Sequence, residues 1–164
     1  MLIIFSGLPG VGKTTISRLL AEEIGAVFLR ADTIEKVLQE AGVEPIEGKG
    51  YQITCAVATE NLKLGRTVIA DQVNNWELTR GWFHEAAKEA GAKYLDVEVI
   101  CSDREMHRAR LEARGCHLTW EDILAREADT HPWSCERLVL DSAKLSPEEA
   151  VSEIRREMGK MCQP

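Results

Sequence analysis

The chain has 164 residues, 45% of them hydrophobic and 29% charged, and a net charge of −7. That length suits one domain with its own core, no apolar run approaches the ~20 residues that span a bilayer, and the acid excess argues against holding nucleic acid by counterion release. Five cysteines without a framework spacing predict reduced thiols in a cytoplasmic protein, and residues 1–5 are too short and lack the basic flank of a signal peptide.

The first seventeen residues organise the rest. Leu2-Ile3-Ile4-Phe5 reads as a strand. Ser6-Gly7-Leu8-Pro9-Gly10-Val11-Gly12-Lys13-Thr14-Thr15 follows, and Ile16, Leu19, Leu20 and Ile24 recur at helical spacing. Gly-x-x-x-x-Gly-Lys-Thr between a strand and a helix is a phosphate-binding loop. Its glycines permit a tight turn that aims backbone N–H groups at a polyphosphate. The helix start adds its dipole and free N–H groups. Lys13 is expected on the β- and γ-phosphates and the Thr14 hydroxyl on Mg²⁺. A plain glycine turn would not need this combination of motif, position and context. The dinucleotide fingerprint fails, because Thr15 stands where a small Gly or Ala is required.

The first helix is expected to stop at Gly25, a natural C-cap residue. Ala26–Arg30 reads as strand two, followed by a helix marked by Ile34, Val37, Leu38 and Ala41 that stops at Gly42. Asp32 sits at the carboxyl end of that strand, where open α/β sheets place ligands. It also fits a capping box with Glu35, and a carboxylate has acceptor sites for both roles. Gly42–Gly50 is a turn-rich candidate for a substrate flap. Tyr51–Leu64 reads as a helix with Ile53, Val57 and Leu64 inward, while Gln52, Thr54 and Glu60 are either pocket or solvated positions.

Thr67–Asp71 is a strand ending in an acid, the Walker B pattern. Asp71 then holds Mg²⁺ or, with Gln72 and Asn74, the acceptor. Asn75 is a candidate cap for the helix carrying Trp82, Phe83, Ala86, Ala87 and Ala90. Tyr94–Cys101 is the fourth strand, with Val97, Val99 and Ile100 inside. Ser102 to Glu105 suggests a capping box, opening a helix that carries Arg104, Arg108, Arg110 and Arg114. Partners such as Glu105 and Glu112 account for some of these arginines. Phosphoryl transfer, however, develops charge that arginines meet. Thr119 caps a short helix with Ile123, Leu124 and Arg126. Arg110, Arg114 and Arg126 are therefore candidate lid residues within about 110–134. Cys116-His117 with His131 and Cys135 could make a Cys₂His₂ zinc set, although adjacent Cys-His ligands are unusual and ordinary loop contents are the favoured reading. Arg137–Asp141 is the fifth strand, and Ser146-Pro147-Glu148-Glu149 opens the last helix.

Strands alternating with helices imply an α/β/α fold with a mainly parallel sheet, without fixing its strand order. The whole chain resembles the small P-loop kinases, which include shikimate, gluconate, adenylate and polynucleotide kinases and chloramphenicol phosphotransferase. It looks most like the "AAA family ATPase" or "predicted kinase" group. That resemblance rests on Gly7–Thr14, on Arg30-Ala31-Asp32-Thr33-Ile34, and on blocks at Asn61–Val68 and Leu138–Asp141. It implies sheet order 2-3-1-4-5 and a kinase using ATP and Mg²⁺. The nucleotide would lie on Gly7, Leu8, Pro9, Gly10, Val11, Gly12, Lys13, Thr14, Thr15 and Arg110. Magnesium would sit at Thr14 and Asp71, and the catalytic set would be Lys13, Asp32, Arg110, Arg114 and Arg126. The Asp141–Ser146 loop would edge the adenine pocket. The arginine finger and sensor patterns of ring ATPases are not recognisable, nor is there room for their extra helical domain. The expected activity is transfer of the γ-phosphoryl to a hydroxyl of a small molecule. Polynucleotide or nucleoside kinases and an ATPase switch without an acceptor are the alternatives.

Overall fold

The structure is a computed structural model and describes residues 1–115 and 118–161. Its strands are β1 (Leu2–Ser6), β2 (Val27–Arg30), β3 (Val68–Asp71), β4 (Tyr94–Ile100) and β5 (Leu138–Asp141). They form one five-stranded sheet in the order β2-β3-β1-β4-β5, and every neighbouring pair is parallel. The register brings Phe5 and Arg30 each opposite Asp71. The carboxyl ends of β1, β2 and β3 therefore share one edge.

The helices are α1 (Lys13–Ile24), α2 (Ala31–Glu40), α3 (Lys49–Lys63), α4 (Glu77–Glu89), α5 (Arg104–Ala113), α6 (Trp120–Ala128) and α7 (Pro147–Met161). They cover both sheet faces. Ile3 and Phe5 pack with Ile16 and Leu20 of α1 and Ile154 of α7. Leu2 and Ile4 point the other way, onto Ala58 and Leu62 of α3 and Phe83 of α4. This is the period-two alternation of a strand whose faces are both buried. Each such buried side chain stabilises by about 1.5–3 kcal/mol.

Two packing expectations fail. Ile53, Val57 and Leu64 are exposed, not inward. The covered stripe of α3 is Gly50, Thr54, Ala58 and Leu62, spaced four apart, so residues 53 and 57 are rotated off it by one position. A side chain at Gly50 would come within 2.3 Å of Glu35, so small residues let α3 lie close on α2. Ile100 is also outside, because Leu95, Val97 and Val99 take the buried face of β4 and strand alternation turns residue 100 away.

Helix starts divide in the same way. The capping boxes at Thr119–Asp122 and Ser146–Glu149 form. Asp32 does not cap α2: the helix begins at Ala31 with Arg30 at the cap position, and Asp32 turns back to Arg30 at 2.7 Å. Asn75 does not cap α4, whose cap position is Trp76. Asp103, not Ser102, caps α5, accepting from the Met106 N–H at 2.9 Å. The Ser102 N–H is taken by Asp141 at 3.0 Å.

Candidate active site

The phosphate loop leaves the buried end of β1 and is fixed from three sides. The Gly7 N–H donates to the Val73 carbonyl at 2.9 Å. Gly7 has φ +140°, and a Cβ there would meet the Val99 carbonyl oxygen at 2.2 Å, so only glycine fits this close approach. Buried His107 donates through Nε2 to the Pro9 carbonyl at 2.8 Å. That donor assignment is forced, since a carbonyl can only accept. Lys13 is buried and bonds the Leu8 carbonyl at 3.1 Å. Burial holds its ammonium below the usual lysine range, while Asp71 and Asp32 pull it back up.

A chain of charge runs from this loop to β2. The Thr14 hydroxyl donates to Asp71 Oδ2 at 2.7 Å. Arg30 lies 3.6 Å from that same oxygen and 2.7 Å from Asp32, so one guanidinium joins the two carboxylates. Asp71 is buried, and its Oδ1 has no hydrogen-bond partner among the described residues. A buried, uncompensated carboxylate oxygen beside a hydroxyl is a donor set that suits a hard cation such as Mg²⁺.

Two clefts meet at this chain. One, of about 460 Å³, is lined by Gly12, Thr15, Arg18, Arg110, Ser142 and Leu145 among others. The second, of about 1070 Å³, opens between α2, α3, the end of β3 and α6, and carries Asp32, Glu35, Tyr51, Asp71, Gln72 and Arg126. Lys13, Thr14 and Arg114 line both. Both volumes suit small-molecule sites. Glu47 and Gly48 of the expected flap also border the second cleft. Burial pushes the Glu35 carboxyl up, and the Asp32 charge adds to this. Burial likewise raises the Tyr51 phenol to about 12.

The arginines are distributed rather than gathered. Arg110 donates to the Ser142 hydroxyl at 2.9 Å and to its carbonyl at 3.2 Å. Ser142 in turn donates to the Val11 carbonyl at 2.7 Å. Arg110 thus couples α5 to the loop after β5 and to the phosphate loop, on the first cleft only. Arg126 lines the second cleft only, and Arg114 alone of the three belongs to both. Arg104 and Arg108 form exposed ion pairs with Glu127 and Glu112, each at 3.0 Å, and such pairs contribute little.

Buried Asn74 donates to the Ser6 hydroxyl at 3.1 Å and lines neither of these two clefts. It borders a further cavity of about 400 Å³ beneath the loop. Gln72 is buried beside Asp71. Glu60 and Gln52 are exposed, while buried Thr54 bonds the Gly50 carbonyl within its own helix. Of the proposed zinc set, Cys116 and His117 lie outside the described residues. His131 instead accepts from the Glu77 N–H at 3.4 Å, and Cys135 points to Asp96, 3.8 Å away. Sequence reasoning gave Arg30 and Glu35 no place in the site, Glu35 being read only as a capping-box partner, and gave His107 no role. Arg30 abuts Asp32 in the chain, which was a usable signal. His107 shows its role only once α5 crosses the loop.

The solved structures that superpose on this fold include an APS kinase from Mycobacterium tuberculosis in complex with AMPPNP and APS. It aligns at TM-score 0.75 and 18% identity over 96% of each chain. A gluconokinase from Sinorhizobium meliloti 1021 aligns at TM-score 0.66 and 16% identity, covering 98% of this chain and 97% of that one. They establish the P-loop kinase fold. In sequence, the cytidylate kinase of Ignicoccus hospitalis is 27% identical over 179 residues, spanning 94% of this chain and 96% of that protein. The AAA domain family model AAA_33 matches residues 2–129, from the first strand through the candidate lid helix, and the chain belongs to that family.

Proposed function

We propose that the chain is an ATP-dependent phosphotransferase that moves the γ-phosphoryl of Mg·ATP to a hydroxyl of a small molecule. The observation that carries this is the meeting of the two clefts at Lys13, Thr14 and Arg114. A pure nucleotide switch needs only the first cleft. ATP lies along the first cleft, with its phosphates on the Gly7–Thr15 backbone and its base toward Leu145 and the Asp141–Ser146 loop. Lys13 holds the β- and γ-phosphates, and Arg110 braces the nucleotide side through Ser142. Thr14 and Asp71 are the residues that would hold Mg²⁺, which when bound would neutralise charge on the phosphate oxygens.

The acceptor enters the second cleft. Asp32, held by Arg30 yet half-exposed, has acceptor sites left for a substrate hydroxyl. It orients that hydroxyl and takes its proton as the new P–O bond forms and the bond to ADP breaks. Arg114 meets the charge of the transferring group at the junction, and Arg126 approaches it from α6. Residues 110–134 then act as the element that excludes water.

A nucleotide acceptor is the second reading, favoured by the cytidylate kinase relative. The lining of the cleft weighs against it. Beyond the phosphate loop, Asp32, Glu35, Glu47, Asp71, Asp122 and Asp129 outnumber Lys36, Arg114 and Arg126, a poor balance for an acceptor already carrying phosphate. The test is product analysis. Protein, Mg·ATP and a panel of sugars, nucleosides, CMP, aminoglycosides, hydroxy acids and 5′-hydroxyl oligonucleotides are incubated, and phosphorylated products are sought by mass spectrometry. A phosphorylated small alcohol is the expected result. Transfer to CMP alone would establish the second reading, and transfer to nothing would defeat both.

A further inference from the structure

Away from both clefts, three chemically distinct side chains converge from separate elements. His84 on α4, Asp96 in β4 and Cys135 in the segment joining α6 to β5 each offer a ligand atom, all within 4.8 Å of one another. His84 Nε2 lies 2.7 Å from Asp96 Oδ2, and Cys135 Sγ lies 3.8 Å from the same oxygen. Asp96 is 2% exposed, and its Oδ1 is buried without a hydrogen-bond partner among the described residues. A carboxylate half-satisfied in the protein interior is costly unless something positive completes it. The His84 ring is held against Tyr94, stacked with centroids 4.3 Å apart. Cys135 and His84 are only partly buried, which leaves a path of entry.

We propose that His84, Asp96 and Cys135 form a transition-metal site of the zinc class, with one thiolate, one imidazole and one carboxylate ligand and a fourth position for water. The donor set is borderline-soft and mixed, as Zn²⁺ prefers, and excludes the all-oxygen shell of Mg²⁺ or Ca²⁺. Ligand atoms in a tetrahedral zinc site stand roughly 3.3–3.8 Å apart. The Cys135–Asp96 separation already fits, and the His84–Asp96 hydrogen bond would open by less than about 1 Å as both groups turn to the ion. On binding, metal–sulfur, metal–nitrogen and metal–oxygen bonds form, the Cys135 thiol proton leaves to solvent, and the imidazole binds neutral. Burial and the Asp96 charge push the Cys135 thiol up, and a bound divalent ion would reverse that balance.

The surroundings are built to hold this segment. Buried Arg80 donates to the His131 carbonyl at 3.1 Å and the Pro132 carbonyl at 2.8 Å. Arg80 and Arg137 both lie over the Trp133 ring, 4.4 and 4.9 Å from its centre. The metal would be a second clip on the same connection, tying the return from α6 to the sheet and to α4. The site does not depend on the phosphotransferase reading.

The test uses full-length protein freed of metal with a chelator. It is titrated with Zn²⁺ by calorimetry and, separately, with Co²⁺, whose thiolate charge-transfer absorption reports sulfur ligation. One equivalent should bind with that absorption. Cys135→Ser should abolish the absorption, His84→Gln should weaken binding by at least about tenfold, and Cys116→Ser should change neither. Retained ATP-analogue binding in each variant identifies those that are folded. Failure of the wild type to bind one equivalent overturns the proposal. So does sulfur ligation that survives Cys135→Ser and disappears in Cys116→Ser.

Discussion

The two clefts are built on different principles. The first cleft is organised by a contiguous backbone turn, the left-handed Gly10 and Gly12 and the helix start at Lys13, to which Arg18, Arg30, Arg110 and Arg114 add side chains. The second cleft draws on α2, α3, the end of β3 and α6, which lie far apart in the sequence. A backbone cradle recognises what every nucleoside triphosphate shares. A side-chain cleft can be re-specified one residue at a time. On the proposed reading, a donor half that recognises a shared group stands beside an acceptor half that can be re-specified, and Lys13, Thr14 and Arg114, which line both clefts, are the seam.

The largest effect should come from the seam. Lys13→Ala is expected to reduce phosphoryl transfer by on the order of 10³-fold or more, as loss of a preorganised charge on the reacting group does. Circular dichroism should stay unchanged, because the ammonium's hydrogen bond among the described residues stays within its own loop. Near-wild-type turnover in this variant would break the comparison outright. Next in size is the contrast between two arginines on one helix end. Arg114→Ala should lower kcat by about 10- to 100-fold. Arg110→Ala, tied to Ser142 on the nucleotide side, should mainly raise the KM for ATP. Steady-state kinetics on both variants reads the difference, and identical effects would mean the arginines act together and not on separate sides.

The smallest effect concerns stability on the acceptor wall. Burial raises Tyr51 from 10.0 to about 12 and Cys55, on the same helix, from 9.0 to about 12. A folded-state value above the unfolded one means that the stability is fully present below the unfolded value and lost as pH rises through the folded one. Urea unfolding should therefore weaken progressively from about pH 9–10 toward 12. Tyr51→Phe should flatten the part above pH 10, by on the order of 1 kcal/mol. An unchanged pH slope in that variant would remove Tyr51 from the account.

Sequence legibility follows the same division. The loop, the parallel sheet and the Thr119 and Ser146 caps are local or nearly local patterns, and they were readable. Asp32 was readable as a strand-end acid, but its pairing with Arg30 replaced the expected cap, because a guanidinium at cap position outcompetes a backbone N–H. The buried face of α3 was not readable. It is a stripe of Gly50, Thr54, Ala58 and Leu62, in which Gly50 lies close to Glu35 of α2 while Ala58 and Leu62 meet the sheet. The support of Pro9 by His107 was also invisible, since it joins residues 98 positions apart through a crossover that only the fold supplies. Cys135 was noticed as a candidate ligand, but the side chains it meets among the described residues, His84 and Asp96, stand on α4 and β4, too far along the chain for spacing to suggest them.

The most direct test of the central claim is coupled ADP release from Mg·ATP, with and without each member of the acceptor panel, for wild type and Asp32→Asn side by side. The account predicts strong stimulation by one class of small alcohol. That stimulated rate should fall by about 10²- to 10⁴-fold in the variant, while the slow acceptor-independent rate stays the same. Slow hydrolysis that no acceptor raises, equal in both proteins, would contradict it and leave a nucleotide-binding switch.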